Sequence, residues 1–295
     1  MNPTNPPNQS RSIKRIDSHL SIRLDSAQRT IKAMLRSIPR KTRQVVDIVN
    51  NLAVTEYDMS AGDIEQLRID IERILNQALL ENPTGDTMPA SWFYQDDIEV
   101  PYRAGTITEI NETNHLVEAA IIAGLYARGI VPRTLSIEEV LLSQPYRDAL
   151  SKVYAKNYGY IKTLSQRTAA QVYSVINEGM AAKSSVSTIA SEISERFDVA
   201  KSSAERIAVT ETNRAFNDAK LNAGDLISKE TGVKTAVRHI SALISTTRSW
   251  HAARHQKIYT REAQEQWWDE GSNRINCYCS VQTVLLDGKN KPIIL

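Results

Sequence analysis

The 295-residue sequence is short of cysteine, of net charge and of long apolar runs, and each shortage excludes something. Two cysteines, Cys277 and Cys279, cannot build a disulfide scaffold. Standing two apart, they are also poorly placed for an unstrained bridge. That sparse use fits a chain folded in a reducing cytosol. The most apolar stretch, residues 119–125, falls far short of the ~20 residues that span a bilayer. Residues 1–9 are polar and carry no apolar run, so they are not expected to act as a secretory signal. A transmembrane protein, a secreted toxin scaffold and a collagen-like fibre are excluded on these grounds. The formal net charge is only +2, which gives no bulk attraction to nucleic acid. Also missing are a glycine-rich phosphate loop, a paired-glycine nucleotide motif and the metalloprotease pattern H-E-x-x-H, because Ala252 stands where its glutamate would be.

What is present supports a sizeable core. The hydrophobic share is 41%, close to the globular average, and the length suggests two domains or one domain with a long extension. The charge is unevenly spread. Residues 1–50 hold ten basic and three acidic residues, whereas the remaining 245 hold 26 and 31. The N-terminal segment therefore reads as a basic arm on a mildly acidic body. Arg11, Lys14, Arg15, Arg36, Arg40, Lys41 and Arg43 are its candidates for contact with DNA phosphates. A solvated helix face would use the same residues. Residues 1–50 contain no Phe, Trp or Tyr, which disfavours base stacking on single strands.

The pattern along the chain is mainly α: a long helical N-terminal and middle region, then a small C-terminal α+β domain. Residues 1–20 read as a flexible basic tail and 21–140 as a helical region. Residues 141–295 read as one further domain that turns mixed from about 233. A stripe of Ile22, Ala27, Ile31, Met34, Leu35 and Ile38 predicts a helix over 21–37, stopped by Pro39. A short helix is expected over 42–52. Ser60 with Asp63 forms a capping-box pattern before Ile64, Leu67, Ile71, Ile74, Leu75, Ala78 and Leu79. Residues 83–106 read as loop. Helices are expected at 108–128, from about 136, at 145–158, 160–180, 187–196 (with Ser187 as cap) and 200–224. Residues 233–240 alternate as a strand does. Residues 251–268 read as helix-like or irregular, and 275–286 as a second extended segment.

Unusual residues concentrate between 248 and 279. His251 and His255 stand four apart, which would place both rings on one face of a helix. Cys277 and Cys279 stand two apart, which on a strand points both thiols the same way. Two imidazoles and two thiolates form the ligand set of a closed tetrahedral zinc site, so these four are a candidate structural zinc centre. The alternative is that the cysteines are ordinary core residues. A Cys–His nucleophile pair lacks an orienting third group and an oxyanion site. Trp250, Trp267 and Trp268 flank the histidines and suit the core of a small domain. A second cluster, Arg206, Glu211, Arg214 and Asn217, fits either a polar hub tying its helix to the C-terminal unit or a solvated face with ordinary ion pairs. Glu211 can pair with Arg214, and Arg214 with Asp218.

The order of these features resembles one family. The run Ser203-Ala-Glu-Arg-Ile-Ala-Val-Thr-Glu-Thr-Asn-Arg-Ala-Phe-Asn217 is similar to the R-I-A-R-T-E…A…N helix of phage minor head proteins, the head-morphogenesis family typified by the F protein of phage Mu. A strand follows at 233–240, then Arg248-Ser-Trp-His-Ala-Ala-Arg-His255 resembles the family's R-x-x-H segment. Arg274-Ile-Asn-Cys-Tyr-Cys279 resembles its closing N-C-R-C motif. The resemblance covers about residues 145–285. Val209 and Tyr278 stand where arginines are usual. It implies a minor head protein of a tailed phage, not an enzyme, made in the host cytoplasm and carried in the virion head. Its implied partners are the portal protein and the capsid or scaffold proteins, with non-specific DNA contact open to the arm. The competing reading is an enzyme with a C-terminal metal-dependent hydrolase or toxin-like domain. Four metal ligands would leave no position for a reactive water, which favours the structural reading.

Overall fold

A computed structural model describes residues 7–46, 51–82, 88–122, 134–287 and 289–293. The elements in chain order are α1 (Pro7–Ser37), β1 (Arg40–Val46), β2 (Asn51–Tyr57), α2 (Ala61–Leu79) and the single turn α3 (Ser91–Phe93). A π-helical stretch (Tyr94–Glu99) leads into α4 (Val100–Ile122), followed by α5 (Ile137–Leu142), α6 (Gln144–Ala181) and α7 (Val186–Thr231). The C-terminal part holds β3 (Thr235–Ile240), α8 (Ser249–Ala252), β4 (Ile258–Tyr259), α9 (Arg261–Asp269) and β5 (Ser280–Leu285). The fold is mainly α with a small sheet near the C-terminus, as the sequence predicts. The chain divides into two compact units. One comprises Arg15–Trp92 and Lys156–Ile207, here the hairpin unit. The other comprises Met1–Lys14, Phe93–Ala155 and Ala208–Leu295, here the sheet unit.

In the hairpin unit, α1 buries Leu20, Leu24, Ala27, Ile31, Leu35 and Ile38. That spacing of three and four residues makes one apolar stripe. Ile22 does not belong to it and is 61% exposed. The helix starts at Pro7 rather than near 21, so residues 7–20, expected as a tail, are helical. A proline is tolerated in the first helical turn, because its missing N–H has no partner to lose there. Within 42–52, expected as helix, residues 42–46 lie on β1 and 51–52 on β2, paired antiparallel with Thr42 opposite Thr55 and Arg43 opposite Val54, and 47–50 lie outside the described residues. Thr42, Val45, Val46, Val54 and Thr55 are β-branched, which costs rotamer freedom in a helix and suits a pleated surface. The hairpin is tied to the α6–α7 turn by the Thr55 N–H on the Lys183 carbonyl (3.1 Å) and the Tyr57 hydroxyl on the Ser184 carbonyl (2.8 Å).

Helix α2 opens as expected. The Ser60 hydroxyl accepts from the Asp63 N–H, and the Asp63 carboxylate accepts from the Ser60 N–H at 2.8 Å. Its Leu67, Ile71, Ile74, Leu75 and Leu79 are buried. Arg23 of α1 donates to the Ala78 carbonyl (2.8 Å) and lies 4.2 Å from the Trp92 ring centroid. The two helices expected at 145–158 and 160–180 are one, since Gly159 weakens but does not end α6. Likewise α7 runs unbroken through 197–199, and its cap is Ser185, which accepts from the Thr188 N–H, not Ser187.

In the sheet unit, residues 91–106 are helical rather than loop. The π-helical stretch ends two residues before Pro101, whose missing N–H removes one i→i−4 bond. Strand order is β4-β3-β5, all antiparallel, with Val237 opposite both Tyr259 and Thr283. Leu221 of α7, Val237, Trp268 and Val281 form one apolar cluster, with Trp267 and Tyr259 packed against it. Helix α7 passes close to β5: a Cβ on Gly224 would lie 2.5 Å from Thr283 Oγ1. It ends at Gly232, whose φ of +69° suits glycine. Lys220 is buried between Glu109 (3.1 Å) and Glu112 (3.0 Å) of α4. Burial pushes the Glu109 carboxyl above its ordinary value, while Lys220 and the Thr283 N–H pull it back. For Lys220, burial acts downward, but the two carboxylates outweigh it and raise the ammonium pKa.

Candidate functional site

The segments that carry the family resemblance converge in the sheet unit. Helix α7 forms one wall. The Asn217 side chain donates to the Cys279 carbonyl (3.0 Å) and to the Asn213 carbonyl (2.9 Å), and it accepts from the Ser280 hydroxyl (2.9 Å). Thr210 Oγ1 accepts from the Asn276 N–H at 3.1 Å. Asn276 itself has φ +50°, a left-handed conformation that asparagine reaches more readily than most residues. It turns the chain so that Cys277 and Cys279 both enter the interior, where both are buried.

Arginines hold the turn before the cysteines. Arg248 donates to the Ser272 carbonyl (3.2 Å) and the Ile275 carbonyl (2.8 Å). Arg274 pairs with Asp218 at 2.9 Å and lies 4.9 Å from the Trp268 ring centroid. Asp218 therefore meets Arg274, where Arg214 was the expected partner. Arg214 pairs with Glu211 at 3.3 Å, and both are largely buried, so this is not a solvated face. Arg206, expected in the same hub, is exposed, contacts Ser203 (3.3 Å) and belongs to the hairpin unit. Val209 is buried and Tyr278 is half-buried.

Of the four candidate metal ligands, three come together. His251, Cys277 and Cys279 offer ligand atoms that all lie within 4.8 Å of one another, and all three residues are buried. His251 Nδ1 is 3.5 Å from each sulfur. His255 is not among them. Helix α8 ends at Ala252, so the helical i, i+4 relation between the two histidines is lost. His255 Nδ1 accepts from the Ser241 N–H at 3.1 Å instead. Cys279 is held down to about 3, first by Cys277 and then by His239 and His251, with burial opposing. Cys277 is pushed up by Cys279 and by burial.

His239 is the residue that sequence reasoning missed. It lies on β3, fully buried, at an ordinary strand position with no local motif around it. Trp267 touches both imidazoles, with ring centroids 5.3 Å from His239 and 4.8 Å from His251. Trp268 is buried as expected, whereas Trp250 is 51% exposed and donates to Asn273 (3.0 Å). The space bounded by Thr210, Asn217, Trp268, Arg274 and the two cysteines amounts to about 10 Å³. That is one water's worth and too little for an organic substrate.

Of the basic candidates, Arg36, Arg40 and Lys41 are exposed. Arg40 donates to the Arg36 carbonyl (2.6 Å). Arg11, Lys14 and Arg15 fall on α1 and Arg43 on β1, but their side chains lie outside the described set. No described helix is long and apolar enough to cross a membrane.

Residues 170–282 match the family model described as Phage Mu protein F like protein. No curated protein and no solved structure matches the chain.

Proposed function

We propose that the protein is a minor head protein of a tailed phage, acting in head assembly by associating with the portal and inner capsid and residing in the virion head. The match of residues 170–282 to the Phage Mu F-like family carries this reading. The role is structural rather than catalytic. Its support is that the polar groups that could have been catalytic are used internally. Asn217, Thr210, Arg248 and Arg274 hold backbone carbonyls, an N–H and a carboxylate of the domain itself. The space beside the thiols admits no substrate of any size. Co-purification with the portal protein from assembling heads is the test. Heads that contain the portal but never this protein would sink the proposal.

A weaker DNA contact belongs to the same reading and rests on the exposed Arg36, Arg40 and Lys41. Deleting the arm is a poor test, because Leu20, Leu24, Ile31 and Leu35 are buried. Replacing the three cations by glutamine avoids that problem. Duplex binding should weaken, and its salt dependence should become shallower. An unchanged salt slope would remove DNA from the list of partners.

A further inference from the structure

We infer that the sheet unit binds one zinc ion through His251 Nδ1, Cys277 Sγ, Cys279 Sγ and His239 Nε2, and that His255 takes no part. The first observation is geometric. With Zn–N near 2.05 Å and Zn–S near 2.3 Å, the N···S edge of a tetrahedral site is about 3.6 Å. His251 Nδ1 stands 3.5 Å from both sulfurs. A neutral imidazole nitrogen has one lone pair or one proton to share, and two sulfurs face this one. A cation among the three atoms satisfies both contacts at once. The contact of Arg248 Nη1 with His251 Nε2, at 3.5 Å, does not compete, because the guanidinium makes closer bonds to the carbonyls of Ser272 and Ile275.

The second observation assigns the fourth ligand. Arg254 Nη2 lies 3.2 Å from Gln264 Oε1. A guanidinium only donates, so the amide atom facing it is the oxygen. The same oxygen lies 3.3 Å from His239 Nδ1, which must therefore carry the ring proton. The lone pair of neutral His239 is then on Nε2, a fully buried atom with no hydrogen-bond partner among the described residues. An imidazole whose other N–H is held by an oxygen acceptor is the usual arrangement of a metal-bound histidine. Trp267 packs on the rings of both histidines, so His239 lies beside the group of His251, Cys277 and Cys279, although it is not one of the three whose ligand atoms lie within 4.8 Å of one another. Cys277 and Cys279 arrive from the opposite segment, on the turn set by Asn276. Two thiolates and two imidazoles close the shell and leave no position for a reactive water. The ion would thus join β3, α8 and the segment leading into β5.

Zinc measured on the purified full-length protein tests this, followed by cobalt(II) titration of chelator-stripped protein. About one zinc per chain is expected, with intense sulfur-to-cobalt absorption of two thiolates and the visible bands of a tetrahedral site. His255→Ala should keep the full metal content. Cys277→Ser should lose it, and His239→Ala should release metal to a chromophoric chelator at least tenfold faster. Circular dichroism checks that each variant folds. Should the His239 or Cys277 variant unfold, the wild-type cobalt spectrum still decides the geometry and the number of thiolates, and His255→Ala still decides whether His255 takes part. Wild-type protein that takes up no cobalt overturns the inference. A site lost in His255→Ala but intact in His239→Ala overturns it too.

Discussion

The two units are held together by different means. The hairpin unit buries leucines and isoleucines on helix faces, and its buried polar residues are, apart from Asn157, small hydroxyls such as Thr55, Ser165, Thr168 and Ser203. The sheet unit buries Glu109, Glu211, Asn213, Asn217, Lys220, His239, His251 and Gln264. Its partners are far apart in sequence: Glu109 meets Thr283, Asn217 meets Cys279 and Asp218 meets Arg274. A helix face can be built from local periodicity, whereas a polar interior is stable only when every distant partner arrives. The lesson is that the units should fail for different reasons.

The sharpest contrast comes from Lys220→Ala, which leaves Glu109 buried beside Glu112 without its cation. Removing one member of a buried pair costs about 3–5 kcal/mol, and the double variant Glu109→Gln with Lys220→Met should recover part of it. Urea melts by circular dichroism and by fluorescence would measure this, since three of the four tryptophans lie in the sheet unit. Next, Ile71→Ala in the hairpin unit removes a fully buried side chain and should cost about 2–5 kcal/mol. Asn217→Ala unpairs the Cys279 carbonyl and the Ser280 hydroxyl and should cost about 1–3 kcal/mol. If it costs no more than a surface change, the sheet unit is not held by its polar interior, and the contrast collapses.

The smallest effect concerns Ser60→Ala, worth about 1 kcal/mol through the lost cap. The Ser60 hydroxyl and N–H hold the Asp63 carboxyl below its ordinary value of 3.8. A depressed carboxylate stabilises the folded state above its unfolded pKa, and the gain is lost as pH falls through the folded value. The difference between wild type and Ser60→Ala should therefore shrink as pH drops below about 4 in thermal melts. An equal difference at pH 3 and pH 7 would mean that the hydroxyl alone makes the cap.

Much of the hairpin unit was legible because its signals are local. The Ser60 box, the α2 stripe and the proline after α1 each act within a turn or two. The failures there have equally local causes. Ile22 fits the predicted stripe, but Leu20 and Leu24 carry the buried face of α1, and apolar spacing over 42–52 points to helix where the branching of its Thr and Val residues favours strand. In the sheet unit, the motif residues are visible in the sequence as a set, and the structure places the ligand atoms of His251, Cys277 and Cys279 within 4.8 Å of one another. His255 was drawn in by a helix that stops at Ala252. His239 could not be found locally. Its neighbours in space, Gln264 and Cys279, are 25 and 40 residues away, and only the strand pairing brings them near.

The carboxylate of Glu109 has one more consequence. In a three-stranded sheet of order β4-β3-β5, strand β5 is an edge. An edge strand offers unpaired N–H and C=O groups to any other chain that can lie along it. Here the Thr283 N–H is taken by Glu109 at 2.9 Å. The chain also doubles back, so that the Leu285 carbonyl accepts from the Ile293 N–H and the Asp287 N–H donates to the Lys291 carbonyl. A helix carboxylate and the returning segment thus cover the β5 edge of the sheet. That edge is therefore closed to strand addition by another chain.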